Sequence, residues 1–316
     1  MEGIDTRPFV PEEDDATLVS VSNAAWAGTP GFVTLTLEQI RIARRAPGRI
    51  NEGSFLAERD SIPVGIVGGH VDAQRAEPLA FLAGPSVLPE HRRSGVGTAL
   101  ARRAFDFLRA RGMARVRAAT GNWNSAGNAF LEKLGFTPIR HYSLMRRPLA
   151  GLPSGIGEDS ASEISLLGTS PEEVSLLVRL SNEAFREHFG HRDGTTEENA
   201  FWSDNAAAMG VVLRRTVARI GGEAVGFLVC GIDRRVSEEL AVRRGGLWSV
   251  GVLKACRRKG VAKRLMLEGM EWLAGQGLDE VELGVDDDNV SQARRLYERL
   301  GFSVVSGDTT WEKTLV

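Results

Sequence analysis

The sequence predicts an α/β (α+β) protein made of two tandem domains of one fold, each with a mixed central sheet flanked by helices. The chain has 316 residues, well beyond the roughly 100 to 200 of a typical single domain. Two pairs of matching segments recur about half a chain apart, and the strands and helices predicted for each half follow in the same order. These observations together indicate an internal duplication.

The duplication is clearest in two segments of each half. HRRSGVGTAL (91–100) matches CRRKGVAKRL (256–265), which places Gly95 opposite Gly260. FLEKLGF (130–136) matches LYERLGF (296–302), which places the glycines of the two Leu-Gly-Phe ends opposite each other. Only two copies are present, so the pattern favours a pair of tandem domains over a solenoid.

A linker separates the two copies. Residues 148–163, PLAGLPSGIGEDSASE, are rich in Gly, Pro and Ser, a composition typical of flexible connections. We therefore predict an N-terminal domain at 1–150, a linker at 151–162 and a C-terminal domain at 163–316.

The elements of each half follow from hydrophobic spacing. Alternating apolar residues predict strands, and spacing of three or four predicts helices, as in Val96, Leu100, Ala104 and Leu108. The first half gives a strand, two helices, three strands, a helix, a strand, a helix and a strand: IDTRPFV, EEDDATLVSVSNAAWA, TLEQIRIARRA, GSFLAERD, PVGIVGGHVDA, LAFLAGPSVL, GVGTALARRAFDFLRARG, RVRAAT, 125–134 and FTPIRHYSLMRRPL. The second half repeats this order from SEISLLG to FSVVSGDTTWEKTL.

Composition narrows the class of protein. The net charge is −2, which gives no overall attraction to nucleic acid, and no run approaches the roughly 18 apolar residues of a membrane helix. Two cysteines, Cys230 and Cys256, are too few for a disulfide framework. We expect a cytoplasmic protein that binds neither nucleic acid nor membrane.

Both glycine-rich turns have the features of a phosphate-binding loop. Each follows an apolar strand and opens a helix, whose free N–H groups attract anions. Neither turn fits Gly-x-x-x-x-Gly-Lys-Ser/Thr or Gly-x-Gly-x-x-Gly. The sequence has Arg-x-x-Gly-x-Gly at Arg92 and Arg-x-x-Gly-x-Ala at Arg257. An ordinary basic turn is the alternative for one copy, but two copies with matching flanks favour phosphate binding.

These turns resemble the acyl-CoA pyrophosphate loop of the GNAT superfamily of N-acetyltransferases. The resemblance extends over nearly the whole chain, twice, and includes Val87-x-Pro89, Val250-Gly251-Val252 and both Leu-Gly-Phe ends. It implies acetyl-CoA as co-substrate, held where the fourth strand splays from the fifth. Pro85, which lacks a backbone donor, weakens the first copy of that strand. The CoA-binding residues implied are Val250, Gly251, Val252, Arg257, Arg258, Lys259, Gly260, Val261, Ala262, Lys263 and Asn289, and in the first half Ser86, Val87, Arg92, Arg93, Ser94, Gly95, Val96, Gly97 and Thr98.

The resemblance also implies a general acid in one half only. The family commonly has a tyrosine on its fourth helix, and Tyr297 takes that position, four residues before Gly301. Helical spacing alone would also suit a core residue. The matching residue of the first half is Leu131, which has no transferable proton. We therefore predict catalysis in the C-terminal domain and a non-catalytic N-terminal domain, as in tandem proteins of the mycothiol synthase type.

The general base stays open among several residues. The family's frequent strand-four glutamate is missing from GLWSVGV (246–252). The candidates are Glu239, Asp286 and His188, with His191 a neighbouring alternative. The segment 182–202, rich in aromatic and charged residues, is expected to line the acceptor pocket. No metal site is expected, because His188 and His191 have no third ligand nearby in the sequence.

The expected function is acetyl transfer from acetyl-CoA to the primary amine of a small molecule, by direct attack in a ternary complex. Two alternatives stay open: mycothiol synthase-like acetylation of a cysteinyl amine, and a non-catalytic acyl-CoA sensor or scaffold. The expected state is a monomer or homodimer.

Overall fold

The described chain forms two compact units. The computed structural model describes residues 3–152, 162–288 and 293–315. The first unit contains Met1–Arg140 and Asp308–Val316, and the second contains His141–Gly307. Each unit has a mixed sheet with helices packed on it, so the predicted fold class is confirmed.

The first unit is a six-stranded sheet in the order β1-β2-β3-β4-β5-β12. Only β4 and β5 are parallel among these neighbours. Helix α3 packs Leu100, Ala104 and Leu108 into the core, as its spacing predicted. The element bounds are β1 Asp5–Pro8, α1 Asp15–Trp26, α2 Leu37–Arg44, β2 Arg49–Arg59, β3 Ile62–Asp72, β4 Leu79–Val87, α3 Val96–Ala110, β5 Arg115–Gly121, α4 Ser125–Lys133 and β12 Ser303–Thr314.

The second unit repeats the plan in the order β6-β11-β10-β9-β8-β7. Here β10 and β11 are the parallel neighbours, and α8 supplies the buried helical face. A short helix, α7, was not predicted; Asp233 caps its start. The bounds are β6 Thr137–Pro148, β7 Glu163–Leu166, α5 Pro171–Phe185, α6 Thr196–Asp204, β8 Val211–Ile220, β9 Glu223–Asp233, α7 Arg234–Glu239, β10 Arg244–Val252, α8 Val261–Gly275, β11 Glu280–Asp286 and α9 Ala293–Arg299.

Capping residues set the starts of several helices. Ser170 and Glu173 form a capping box at α5, with Pro171 in its first turn, and Thr195 and Glu198 form another at α6. Each box satisfies backbone N–H groups that the first turn of a helix leaves without a partner. These signals are local, so the residues around each helix start specify where the helix begins.

The compact units differ from the predicted domain boundaries at the last strand of each half. Strand β6, assigned to the N-terminal domain, pairs with β11 from Tyr142↔Asp286 to Pro148↔Glu280. Strand β12, from the C-terminal end, pairs with β5 in the first unit. The two halves have therefore exchanged their last strands. Most of the predicted linker, residues 153–161, lies outside the described residues.

Buried and charged side chains fit each exchanged strand to its new sheet. Met145 of β6 is fully buried in the core of the second unit, and Arg146 pairs with Glu282 at 2.9 Å. Trp311 of β12 is buried in the core of the first unit and donates to Thr120 Oγ1. Sequence alternation predicts that such segments are strands, but it does not specify their partners.

The exchange predicts where a change at the C-terminal end destabilises the protein. Trp311→Ala should lower the free energy of unfolding by about 3–5 kcal/mol, because a buried aromatic side chain leaves a cavity. Hydrogen exchange should show the lost protection in β5 of the first unit. Trp202→Ala is the control: Trp202 is 41% exposed, and such a change costs under about 0.5 kcal/mol. Loss of protection in β11 instead would contradict the exchange.

Candidate active site

A cavity of about 1070 Å³ lies in the second unit where two parallel strands diverge. β10 and β11 are paired only from Arg244↔Glu280 to Gly246↔Glu282. Beyond that point β10 is irregular, with a register shift against β9 between Leu247 and Ser249. The lining residues come from the middle of β6, the second halves of β10 and β11, the end of α5, the loop before α8 and its first turn, and the length of α9. Strand divergence thus exposes backbone groups that a ligand can bind.

The start of α8 forms one wall of the cavity and suits an anion. Gly260 is the N-cap with φ 77°, and Arg258 two residues earlier has φ 66°. This left-handed backbone suits glycine and turns the chain so that the free N–H groups of the first helical turn are presented together. The loop of the first unit has the same backbone, with φ 95° at Gly95 and 61° at Arg93. The two glycine-rich loops therefore have the same backbone conformation, and phosphate binding by them stays a prediction.

The first arginine of each loop supports the fold. Arg257 donates from Nε to the carbonyl of Val252 at 3.2 Å and from Nη2 to the carbonyl of Ala184 at 3.0 Å. Arg92 makes the equivalent bonds to Val87 and Ala25. These arginines join the end of a strand to the end of a helix; Arg257 also lines the cavity, and its predicted role in binding a phosphate stays a prediction. Arg258 and Lys263 are the other predicted cations that line the cavity; the Lys259 side chain does not.

In the first unit, two large side chains lie at the corresponding helix start and strand end. Phe130 of α4 packs against Gly97, so that a Cβ on this glycine would lie 3.4 Å from the ring. The counterparts in the repeat, Leu296 and Ala262, line the cavity of the second unit. Trp26 also donates from its indole to Ser86 Oγ at 2.7 Å, next to the end of β4. The two units therefore share the backbone of this loop but differ in the side chains that lie beside it.

Tyr297 is both a core residue and a cavity residue. Its side chain is only 7% exposed and belongs to the same hydrophobic cluster as Leu265 and Phe302, yet it lines the cavity from α9. Burial raises the pKa of the phenol to about 12. The hydroxyl therefore stays protonated at physiological pH, and it can donate a proton but not accept one. The matching Leu131 is buried in the core of the first unit.

Two of the three candidate bases reach the cavity. His188, after the end of α5, and Asp286, at the end of β11, both line it. Desolvation lowers the pKa of His188, and the positive charge of Arg257 lowers it further, so the imidazole is neutral at pH 7. Glu239 does not line the cavity and is paired with Arg235 at 2.9 Å on α7. Asn289 lies outside the described residues.

The predicted acceptor segment contributes less than expected, and other residues contribute more. Of residues 182–202, only Ala184, Phe185 and His188 line the cavity. Sequence analysis missed Tyr142, Trp248, Arg295 and Arg299, which also line it. Tyr142 lies on the exchanged strand, so no feature of its own half could indicate this position. Trp248 lies two residues after Gly246 on β10, a strand whose predicted site residues were Val250, Gly251 and Val252.

Within the three described ranges, no group of three or more His, Cys, Asp or Glu residues is arranged to hold a metal ion. Among the helices in those ranges, none combines the length and apolar character needed to span a bilayer.

Comparison with known proteins identifies what the chain is similar to. The family model described as Acetyltransferase (GNAT) family matches residues 21–136 and 175–302. A protein of Mycobacteroides abscessus named mycothiol acetyltransferase is 32% identical over 245 residues, 76% of this chain and 77% of its own. A protein of the same name from Streptomyces coelicolor is 28% identical, over 93% of this chain and 89% of its own.

Solved structures agree on the fold. A tandem GNAT protein from the clavulanic acid biosynthesis pathway, determined without AcCoA, superposes with a TM-score of 0.77 at 16% identity, and 99% of each chain is covered. A GCN5-related N-acetyltransferase from Sphaerobacter thermophilus gives a TM-score of 0.70 at 20% identity, covering 100% of this chain and 96% of the other.

The difference between the two glycine-rich loops predicts that a change in the second loop, but not in the first, weakens acetyl-CoA binding. Gly260→Glu should weaken binding at least 100-fold, because it adds bulk and negative charge where the helix presents N–H groups to an anion. Gly95→Glu is the matched control, with the same left-handed backbone at the same helix start, and it should leave the affinity unchanged. Calorimetric titration of both variants measures this. An equal loss of acetyl-CoA affinity in both variants, or two acetyl-CoA sites in the wild-type protein, would contradict this prediction.

Proposed function

Because this chain belongs to the GNAT family of acetyltransferases and is an acetyl-CoA-dependent N-acetyltransferase, we propose that its second unit is the catalytic one. The observation that carries this is the cavity itself. In one unit, a splayed strand pair, a helix start suited to an anion, and a buried protonated tyrosine line a single space. The other unit has the same strand divergence and helix start, but Leu131 stands where Tyr297 is, and Phe130 and Trp26 lie at its helix start and strand end.

The cavity suits acetyl-CoA along its length. The N–H groups of residues 258–263, at the start of α8, bind the pyrophosphate, and Arg258 and Lys263 add positive charge. Arg295 and Arg299 on α9 extend this basic wall. Backbone groups of Val250–Val252, on the edge of β10 that faces away from β9, hydrogen-bond the pantetheine amides. Acetyl-CoA supplies the acetyl group as an activated thioester.

Tyr297 acts as the general acid. The amine nitrogen forms its bond to the carbonyl carbon while the carbon–sulfur bond breaks, and the departing thiolate takes the phenolic proton. The raised pKa of Tyr297 keeps that proton available at any pH the enzyme meets in a cell. Solvent then returns a proton to the phenolate.

His188 acts as the general base, directly or through one water. An acceptor amine loses a proton as it bonds to the carbonyl, and a neutral imidazole can take it. The lowered pKa of His188 makes this the ring's resting state. Asp286 is the one carboxylate among the described residues that line the cavity, and its charge attracts the acceptor as an ammonium ion, which releases one proton to solvent before the free amine attacks.

The acceptor is a small molecule with a primary amine, of the cysteinyl type. Relatives matched over most of this chain are named mycothiol acetyltransferase, which supports a cysteinyl amine. Acetylation of such an amine by a direct attack requires acetyl-CoA and acceptor to be bound together. To test for a ternary complex, release of free CoA is measured: it should occur only when both acetyl-CoA and the acceptor are present.

Removing the phenolic proton should slow the reaction without weakening acetyl-CoA binding. Tyr297→Phe should lower kcat about 100- to 10,000-fold, the size typical of a general acid, while calorimetry gives the wild-type Kd for acetyl-CoA. Tyr142→Phe, which changes another tyrosine of the same cavity, is the comparison. If Tyr297→Phe keeps the wild-type kcat, or if Tyr142→Phe lowers kcat more than Tyr297→Phe does, Tyr297 is not the general acid.

Protonation of His188, the proposed general base, determines how kcat changes on the acid side of the pH profile. His188 has a pKa lowered below 6.5, so kcat should be constant above that pH and fall as pH drops through the lowered value. His188→Gln should lower kcat and remove this fall. With a pKa of about 12, Tyr297 should cause no decline on the alkaline side until the pH approaches that value. An acid limb that persists unchanged in His188→Gln would exclude this base.

A further inference from the structure

Helix α9, which carries Tyr297, ends in a Schellman motif. Gly301 has φ 87°, and its N–H donates to the carbonyl of Glu298 at 3.0 Å. The N–H of Phe302 donates to the carbonyl of Tyr297, also at 3.0 Å. These are the two bonds by which a left-handed glycine closes a helix. The ring of Phe302 packs on the ring of Tyr297, with centroids 6.3 Å apart. The position of Tyr297 therefore depends on how the end of the helix is held.

Arg147 of β6 binds one of the carbonyl groups that the end of a helix leaves without an intrahelical partner. Its Nη1 donates to the carbonyl of Leu300, and its Nε donates to the carbonyl of Pro148 at 2.8 Å. A Cβ on Gly301 would lie 3.7 Å from Nη1, so the guanidinium also packs against the glycine that ends the helix. The last turn of a helix carries partial negative charge, which favours a cation there. Arg147 therefore ties the end of α9 to the sheet.

This arginine is buried, which makes the contact rigid. Arg147 is 8% exposed, and desolvation lowers its pKa, although a guanidinium stays charged. A buried cation is costly unless its donors are hydrogen-bonded. The planar fork of the guanidinium reaches two carbonyl oxygens at once. Any shift of the helix end would leave a buried charge with fewer hydrogen bonds, so the contact holds α9 in one position.

The first unit has the matching helix end with a different cation. Lys313 of β12 is the register partner of Val116 on β5, as Arg147 of β6 is the register partner of Val281 on β11. A Cβ on Gly135, which ends α4 with φ 83°, would lie 3.0 Å from Nζ of Lys313. Each exchanged strand thus brings a cation to the glycine at this helix end. The two-pronged arginine lies in the unit that has the tyrosine, and the lysine lies in the unit that has a leucine in its place.

We propose that Arg147 is a positioning residue for acetyl transfer: by holding the end of α9, it keeps the phenol of Tyr297 at the cavity wall, within reach of the departing thiolate. This rests on the proposed role of Tyr297 as general acid and adds the residue that places it. Proton transfer requires the donor to lie within hydrogen-bond distance of the acceptor, and a misplacement of about 1 Å can lower a rate about 100-fold. Arg147 does not line the cavity, so it acts through Tyr297 and not on the substrate.

Replacement of Arg147 tests this, because its effect on kcat should pass through Tyr297 alone. Arg147→Lys keeps the charge, and a lysine fits the matching helix end of the first unit, so this variant should fold. It should lower kcat about tenfold or more and leave the Kd for acetyl-CoA unchanged. Arg147→Met removes both hydrogen bonds and should lower kcat further. Lys313→Met is the matched control at the end of α4 and should leave kcat unchanged. In Tyr297→Phe, which already lacks the proton, Arg147→Lys should cause no further loss of kcat.

The chain has only two tyrosines, so NMR can follow Tyr297 directly. Protein labelled with ¹³C at the tyrosine Cζ should give two signals, and Tyr297→Phe identifies the signal of Tyr297 by its loss. That signal should shift or broaden in Arg147→Lys and stay in place in Lys313→Met. An unchanged Tyr297 signal in Arg147→Lys would overturn the proposal, whatever happens to kcat.

The outcomes separate this proposal from the function on which it rests. If Tyr297→Phe keeps the wild-type kcat, the general acid is wrong and the role of Arg147 falls with it. If Tyr297→Phe lowers kcat but Arg147→Lys does not, only the role of Arg147 is overturned, and Tyr297 remains the acid. The same holds if Arg147→Lys lowers kcat by an equal factor with and without the phenol, because the arginine then acts on the fold in general and not through Tyr297.

Discussion

The divergence of β10 from β11 is the constraint on which the rest of the second unit depends. Two parallel strands that stop pairing after three residues leave backbone donors and acceptors without their ladder partners. Such groups must bind a ligand, a side chain or water. Around this gap lie the cavity, the start of α8 and Tyr297 of α9. The position of the site is therefore set by the point at which β10 and β11 stop pairing.

The first unit has the same divergence with different side chains beside it. Its β4 and β5 also pair over only three residues, from Leu79 to Phe81 on β4. Phe130 packs on the helix start there, and Trp26 hydrogen-bonds Ser86 at the strand end. Both units keep the left-handed loop and the arginine that ties it to a preceding helix, because these features hold the fold together whether or not a ligand binds. The two units therefore share the backbone geometry that stabilises the fold and differ in the side chains that face the gap.

The exchange of final strands ties each half of the sequence to the other. The N-terminal half supplies β6 and with it Tyr142 to the cavity of the second unit, and the C-terminal end supplies Trp311 to the core of the first. A cut within 151–162 would separate β6 from the unit that it completes, although this segment has the composition of a linker. The compact units are thus not the same as the repeats, and the site is built from both halves of the sequence.

The sequence by itself determined the duplication, the order of elements and the residues of the glycine-rich turns, because hydrophobic period, caps and turn glycines are local signals. It also singled out Tyr297 by its distance from Gly301. Only the tertiary structure decided which strand pairs with which, that Arg257 and Arg92 bind backbone carbonyls, that Glu239 lies away from the cavity, and that Trp248 and Tyr142 line it. The reason is physical: the alternation along a strand specifies which residues share a face, but the partner strand and the space above that face depend on residues far away in the sequence.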